Sequence, residues 1–249
     1  MTLSHDVAGD GPAVLLLHST AGDRRMWDPQ VPALTGAGYR VVRCDLPGFG
    51  DSPMPTGPSN DADEVVALLD ELGLDQLAII GASGGGRVAL EIAARWPARI
   101  TGLALLCTAL RGHERSPALK AFGEREDALL EAGDIDGAVE LNVETWVGPR
   151  GDEAVRAKVR EMQRRAFEVQ VGAEEFEEIR GETDLAAITA PSLLISGAHD
   201  LPDFREIAVR LTQELAKARH VELAWAGHLP SLEDPATVNP ILINFLRGT

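Results

Sequence analysis

The stretch LAIIGASGGGRVALEIAARW, Leu77 to Trp96, decides the reading of this chain. LAIIG is a short, continuous apolar run that suits a strand buried on both faces. From Gly85 onward the segment is amphipathic with helical spacing, and Pro97 ends it, because proline cannot continue a helix. Between them Gly81, Ser83 and Gly85 form the pattern G-x-S-x-G, in which a serine sits on a sharp turn from strand to helix and the flanking glycines relieve crowding. In a chain with 25 glycines the pattern alone is weak. Its position, directly after an apolar run and directly before an amphipathic one, gives it weight. The competing reading is a glycine-rich turn in which Ser83 is an ordinary helix N-cap.

Working outward, similar apolar runs occur at AVLLLH (Ala13 to His18), YRVVRCD (Tyr39 to Asp45), ITGLALLC (Ile100 to Cys107) and PSLLISG (Pro191 to Gly197), with HVELA (His220 to Ala224) as a weaker sixth. Amphipathic stretches such as ADEVVALLDELG (Ala62 to Gly73) separate them. Strand and helix in alternation predict an α/β fold built on a mostly parallel, doubly wound sheet. The alternation breaks after Leu110, where charged helix-like segments follow one another to about Ala187. That is too long for a simple connection in a compact domain. Residues 1–110 and 188–249 are therefore expected to form one core, and 111–187 a helical cap or lid inserted between two strands. The prolines of Pro53 to Pro58 predict an irregular loop. Whether Thr2 to Val7 add another strand stays open.

The 249 residues are ample for a buried core. Apolar residues at 45% and charged ones at 25% exclude disorder and fibrous repeats. A formal charge of −16 argues against nucleic acid and anionic lipid as partners. No stretch approaches the ~20 apolar residues of a membrane span, and the start of the chain has no basic segment followed by an apolar run. Cys44 and Cys107, each inside an apolar run, are expected to be buried free thiols, which together with the missing leader points to the cytoplasm. No cofactor or metal is implied, because no His, Cys and Asp cluster has metal-ligand spacing. The oligomeric state is not legible.

A serine hydroxyl is a poor nucleophile near neutral pH, so a catalytic Ser83 requires a histidine base and an acid to orient it. Asp200, in GAHD, follows the run LLIS, and His228, in AGHLPSLEDP, follows HVELA. Both fall where loops leave later strands, and the order Ser83, Asp200, His228 is the nucleophile, acid, histidine order of a serine-elbow architecture. His5 and His113 lie in polar stretches, His220 starts a strand, and His199 adjoins Asp200. Asp203 and Glu233 are the reserve acids. Acyl chemistry also needs donors for a developing oxyanion. One is expected from the amide of Gly84, the other from the turn HSTAGD (His18 to Asp23), with Thr20 first and Ser19 as the alternative. His18 reads as a buried histidine bracing that turn.

The segments LLLHSTAGDRRMWDPQ, VVRCDLPGFGDS, IIGASGGGRVAL, LLISGAHD and AGHLPSLEDPATVNPILINFL together resemble the α/β-hydrolase fold family, in its order and at about its spacing. The resemblance implies a structural loop at Asp45 to Ser52, so the acids there stay outside the triad. This chain departs from the family in having His18-Ser19 where His-Gly is common, and Gly84 where a larger residue often follows the nucleophile. A serine at position 83 argues against the branches that use aspartate. The likeness is nearest to small lactonases and carboxylesterases, which implies a small-molecule ester or lactone as substrate. Acyl transfer, perhydrolysis or C–C hydrolysis on the same triad is the alternative activity, and a non-catalytic small-ligand receptor is a third reading. Trp27, Trp146 and Leu229 are the substrate-binding candidates. Phe122, Val147, Met162 and Phe167 line the pocket or pack the cap on the core.

Overall fold

The computed structural model describes residues 2–174 and 176–249. In chain order its main elements are β1 (His5–Ala8), β2 (Ala13–Leu17), α1 (Gln30–Gly36), β3 (Arg40–Cys44), α2 (Asp61–Glu71), β4 (Leu77–Ala82), α3 (Ser83–Arg95) and β5 (Ile100–Leu106). Three helices follow, α4 (Pro117–Glu131), α5 (Ile135–Trp146) and α6 (Glu153–Gln170). The chain then forms β6 (Ser192–Gly197), α7 (Pro202–Glu214), β7 (Ala218–Leu223), α8 (Pro230–Glu233) and α9 (Pro235–Leu246).

The seven strands form one sheet in the order β1-β3-β2-β4-β5-β6-β7. Only β1 runs antiparallel, pairing His5 with Cys44 and Ala8 with Val41. It is the strand whose existence the sequence left open: HDVA is short and half polar, as an edge strand with one neighbour can be. The central strands are almost entirely apolar because both of their faces are covered. Leu15, Leu17, Ile79, Leu103 and Leu105 point to one side, into a core with Val65 and Leu69 of α2, Val88 and Ile92 of α3 and Leu211 of α7. Val14, Leu16, Ile80, Ala104 and Leu106 point to the other side, toward Leu34 of α1 and Val238, Leu242 and Phe245 of α9. Strand side chains alternate between faces, so an uninterrupted apolar run fills two cores at once.

No helix among the described residues is long and apolar enough to cross a membrane. Cys44 and Cys107 are free and buried.

At the end of β2 the chain enters the turn 18–23. His18 is fully buried, and its ring joins this turn to the loop that follows β3. The Leu46 N–H can only donate, so Nε2 of His18 is the acceptor at 2.9 Å. Nδ1 then carries the proton and donates to the Ser19 carbonyl at 2.8 Å. Burial lowers the His18 pKa. The loop itself is tied by Asp45, which accepts from the amides of Arg24 at 2.7 Å and Asp51 at 2.9 Å and pairs with the Arg24 guanidinium.

The unfolded chain takes up a proton at His18 near pH 6.5, and the folded protein does so only at lower pH. The stability this neutral histidine contributes is therefore present above about pH 6.5 and is lost as pH falls from there toward the folded value. Urea unfolding of the wild type between about pH 7.5 and about pH 5.5 should lose stability more steeply than that of His18→Gln. Equal slopes would contradict this account of His18.

Candidate active site

Ser83 begins α3 where β4 ends, with a φ of 49°. A non-glycine residue in this left-handed region costs roughly 1 kcal/mol, and such strain concentrates at functional positions. Packing on both sides of the turn holds it there. A Cβ at Gly81 would lie 2.8 Å from the Gly85 carbonyl oxygen and 2.8 Å from the Gly86 Cα. A Cβ at Gly85 would run into the carbonyl oxygens of Leu17 and His18. The glycines of G-x-S-x-G are thus required by close backbone approach, and the turn can be this sharp only with both.

The Gly85 N–H donates to the His18 carbonyl at 3.0 Å, fastening the start of α3 to the end of β2. This brings the amide of Thr20 within 3.8 Å of where a Gly84 Cβ would stand. The Gly84 N–H lies in the first turn of α3, where helix amides have no intrahelical acceptor. Ser19, the alternative donor, is differently engaged: its N–H points to the Met26 sulfur at 3.2 Å and its hydroxyl accepts from the Ala21 N–H at 3.1 Å.

Asp200 leaves the end of β6 and His228 the loop after β7. Their side chains meet, with His228 Nδ1 bonded to Asp200 Oδ2 at 2.8 Å. The second Asp200 oxygen accepts from the Leu201 N–H at 2.7 Å. The carboxylate can only accept, so Nδ1 carries the proton and Nε2 is left as the basic nitrogen. The imidazole is 2% exposed and packs against Trp146 and Phe204, with ring centroids at 4.5 and 4.2 Å. Ser83, Thr20, Gly84, Trp146 and His228 line one cavity of about 720 Å³.

Cys107 and Glu233 support this pair. The Sγ of Cys107, the Asp200 carboxylate and the His228 ring offer atoms all within 4.8 Å of one another, the one such group among the described residues with metal-ligand chemistry. Its carboxylate and imidazole already bond each other, and burial, with the nearby Asp200 charge, pushes the Cys107 thiol well up, so it stays protonated beneath the acid. Like Ser83, Cys107 has a positive φ, 43°. The Glu233 carboxylate, at the end of α8, accepts from the amides of Gly227 at 3.0 Å and Leu229 at 3.2 Å, the residues on either side of His228, and from that of Gly148. Burial raises its pKa, and those amides oppose the rise.

Other expected residues fall elsewhere. Asp203, a reserve acid, accepts from the Ser116 amide at 2.7 Å and from its hydroxyl at 2.5 Å, fixing the start of α4. Glu233, the other, clasps the histidine loop. Trp27 and Leu229 do not line the cavity: both are buried in the core on the α1 and α9 side of the sheet. Phe122 lines the cavity, whereas Val147, Met162 and Phe167 are buried in packing. A turn leaving the sheet can direct its side chains back into the core, so sequence distance from a site residue does not report side-chain direction.

The alpha/beta hydrolase fold model matches residues 12–235, and the chain belongs to that family. It is 30% identical to a Variovorax paradoxus protein named "Putative carbamate hydrolase RutD", over 99% of this chain and 96% of that one. It is 28% identical to pimeloyl-(acyl-carrier protein) methyl ester esterase of Aeromonas hydrophila, over 99% of this chain and 100% of the other. Among solved structures it is similar to the enol-lactonase of Burkholderia xenovorans LB400, with a TM-score of 0.81 at 27% identity over 98% and 96% of the two chains.

If Glu233 holds the histidine loop, Glu233→Gln should reduce hydrolysis of a neutral aryl ester by about 10- to 100-fold, because misplacing a catalytic group by 1 Å costs that order. The loss should fall on kcat with KM nearly unchanged. A variant with wild-type kcat would contradict the clasp.

Proposed function

We propose that the protein is a serine hydrolase that cleaves a small-molecule carboxylic ester or lactone through Ser83, His228 and Asp200. The observation that carries this reading is the 2.8 Å bond between His228 Nδ1 and Asp200 Oδ2, behind an imidazole that faces the same cavity as Ser83. The relatives' names support the substrate class: methyl ester, enol-lactone and carbamate all present an acyl carbon to a nucleophile.

In this mechanism His228 Nε2 removes the Ser83 proton as Oγ attacks the carbonyl carbon. The carbonyl π electrons move to its oxygen, which accepts from the amides of Gly84 and Thr20. Asp200 keeps the imidazole oriented and stabilises its positive charge. Collapse of the tetrahedral species expels the alkoxide, which takes the proton from His228. Water, deprotonated by the same nitrogen, then releases the acid and restores Ser83. For a lactone both products are one molecule. The helices of 111–187 act as the cap, with Phe122 of α4 and Trp146 of α5 on the pocket wall.

Two experiments test this reading. Intact mass after treatment with a fluorophosphonate should show one adduct on the wild type and none on Ser83→Ala, whose turnover should fall by about 10⁶-fold. No adduct on either protein would overturn the assignment of Ser83. The second concerns the oxyanion amides. A Cβ at Gly84 would lie 2.6 Å from Thr20 Cγ2, and the next nearest atoms are at an ordinary 3.8 Å. Gly84→Ala should therefore displace the Thr20 turn and lower kcat by about 100-fold, the lower end of what the loss of one oxyanion donor costs. Removing Cγ2 with Thr20→Ser in the same chain should restore most of that loss. An absence of rescue would mean that the two amides do not act together.

A further inference from the structure

The cavity that holds Ser83 has an unexpected wall for a chain with 23 basic and 39 acidic residues: Arg87, Arg111, Arg115 and Arg180 all line it. Arg87 stands on α3 four residues after Ser83, one helical turn along the same face. Arg111 follows β5. Three of these guanidinium groups converge on a single carboxylate, that of Glu178. Arg111 Nη2 is 3.1 Å from Oε1, Arg87 Nη1 is 3.7 Å from the same oxygen, and Arg180 Nε is 3.4 Å from Oε2. Arg87 also pairs with Asp61 at 3.0 Å. The Nε of Arg111 is buried and has no hydrogen-bond partner.

Glu178 belongs to a strap that the backbone holds in place. Ser59 N–H donates to the Glu177 carbonyl at 3.0 Å, Ile179 N–H to the Ser59 carbonyl at 2.8 Å, and Asn60 Nδ2 to the Ile179 carbonyl at 2.8 Å. The main chain is therefore anchored independently of the Glu178 side chain, which is 42% exposed and belongs to a residue of the cavity lining. Half-exposed ion pairs contribute little, so exchange of one carboxylate for another on these arginines costs little. Among the other acids of the lining, Asp203 is held by Ser116, and Glu126 accepts from Asn142 at 2.5 Å.

We propose that Arg87 and Arg111 form a subsite for a carboxylate on the substrate, and that Glu178 occupies it as an internal stand-in when no substrate is bound. This rests on the hydrolase reading above and narrows it: the ester or lactone carries a free carboxylate, spaced from the scissile carbonyl by a short chain that reaches one turn along α3. The substrate carboxylate takes the Arg111 fork, including its unpartnered Nε, and Glu178 swings toward solvent with Arg180. A planar guanidinium suits this exchange, because it binds either carboxylate through paired N–H donors.

Binding and turnover separate this proposal from the reading on which it rests. In the Ser83→Ala background, calorimetry with monomethyl esters of straight-chain dicarboxylic acids and with the matched dimethyl esters reports the subsite without any hydrolysis. The half-ester should bind more tightly than its dimethyl counterpart at one preferred chain length. Adding Arg111→Gln should weaken half-ester binding by about 10- to 100-fold, the value of hydrogen bonds to a charged group. Adding Glu178→Gln should act in the opposite direction, tightening the half-ester by about two- to five-fold, the worth of an exposed pair. Opposite signs of the two variants on the ratio of half-ester to diester would uphold the subsite. A ratio near one that neither variant moves would overturn it, and so would a loss in Glu178→Gln, which would make Glu178 only a structural support for the strap. Hydrolysis of the dimethyl esters by the wild type is read separately, and its failure bears on Ser83 chemistry alone.

Discussion

The contact on which the rest of the site depends is the one between Gly85 and the end of β2. Its N–H reaches the His18 carbonyl at 3.0 Å, and no side chain fits between them. That contact sets how far α3 is pushed toward the neighbouring strand, and so where Ser83 stands. The same strand end carries the turn with Thr20, so one backbone approach places the proposed nucleophile and both candidate oxyanion amides. His18 extends the effect by tying the turn to Leu46, with a neutral ring whose tautomer is set by its two partners. The strain at Ser83 persists because interleaved glycine contacts leave the turn no alternative path.

The histidine is placed by a second, independent set of contacts. Its ring is held by Asp200 and by the rings of Trp146 and Phe204, and its backbone N–H donates to the Trp146 carbonyl at 3.2 Å. Glu233 gathers the amides on both sides of it. Trp146 is fixed in turn, its Nε1 donating to Asn142 at 2.9 Å. Because Trp146 ends α5, the helices between β5 and β6 reach the imidazole directly. Changes in those helices can therefore alter the position of the proposed base as well as the room in the cavity.

Much of this was legible in the sequence, for a physical reason. Strands buried on two faces have no polar side to encode, so AVLLL, LAIIG and SLLIS announce themselves, and the serine motif is readable because it lies on their boundary. The strand HDVA gave no such signal, since an edge strand pairs on one side only. Asp200 and His228 could be ordered by their place after strands. The rest needed three dimensions. Glu233 looked like a spare acid, and only its direction makes it a clasp. Cys107 read as one more buried thiol, although it lies under Asp200. Trp27 and Leu229 adjoin the site in sequence but point into the core. The arginine wall joins residues 87, 111 and 180, which no local pattern links.

The most direct test of the central claim is a crystal structure of the protein after reaction with a small phosphonate. The account predicts a phosphorus bonded to Ser83 Oγ, with one phosphoryl oxygen about 2.7–3.1 Å from both the Gly84 and Thr20 amide nitrogens. It also predicts His228 Nε2 beside Ser83 Oγ, the oxygen from which it removed the proton. A phosphoryl oxygen turned away from both amides, or an adduct on another residue, would contradict the claim that the fastening of α3 to β2 builds the site.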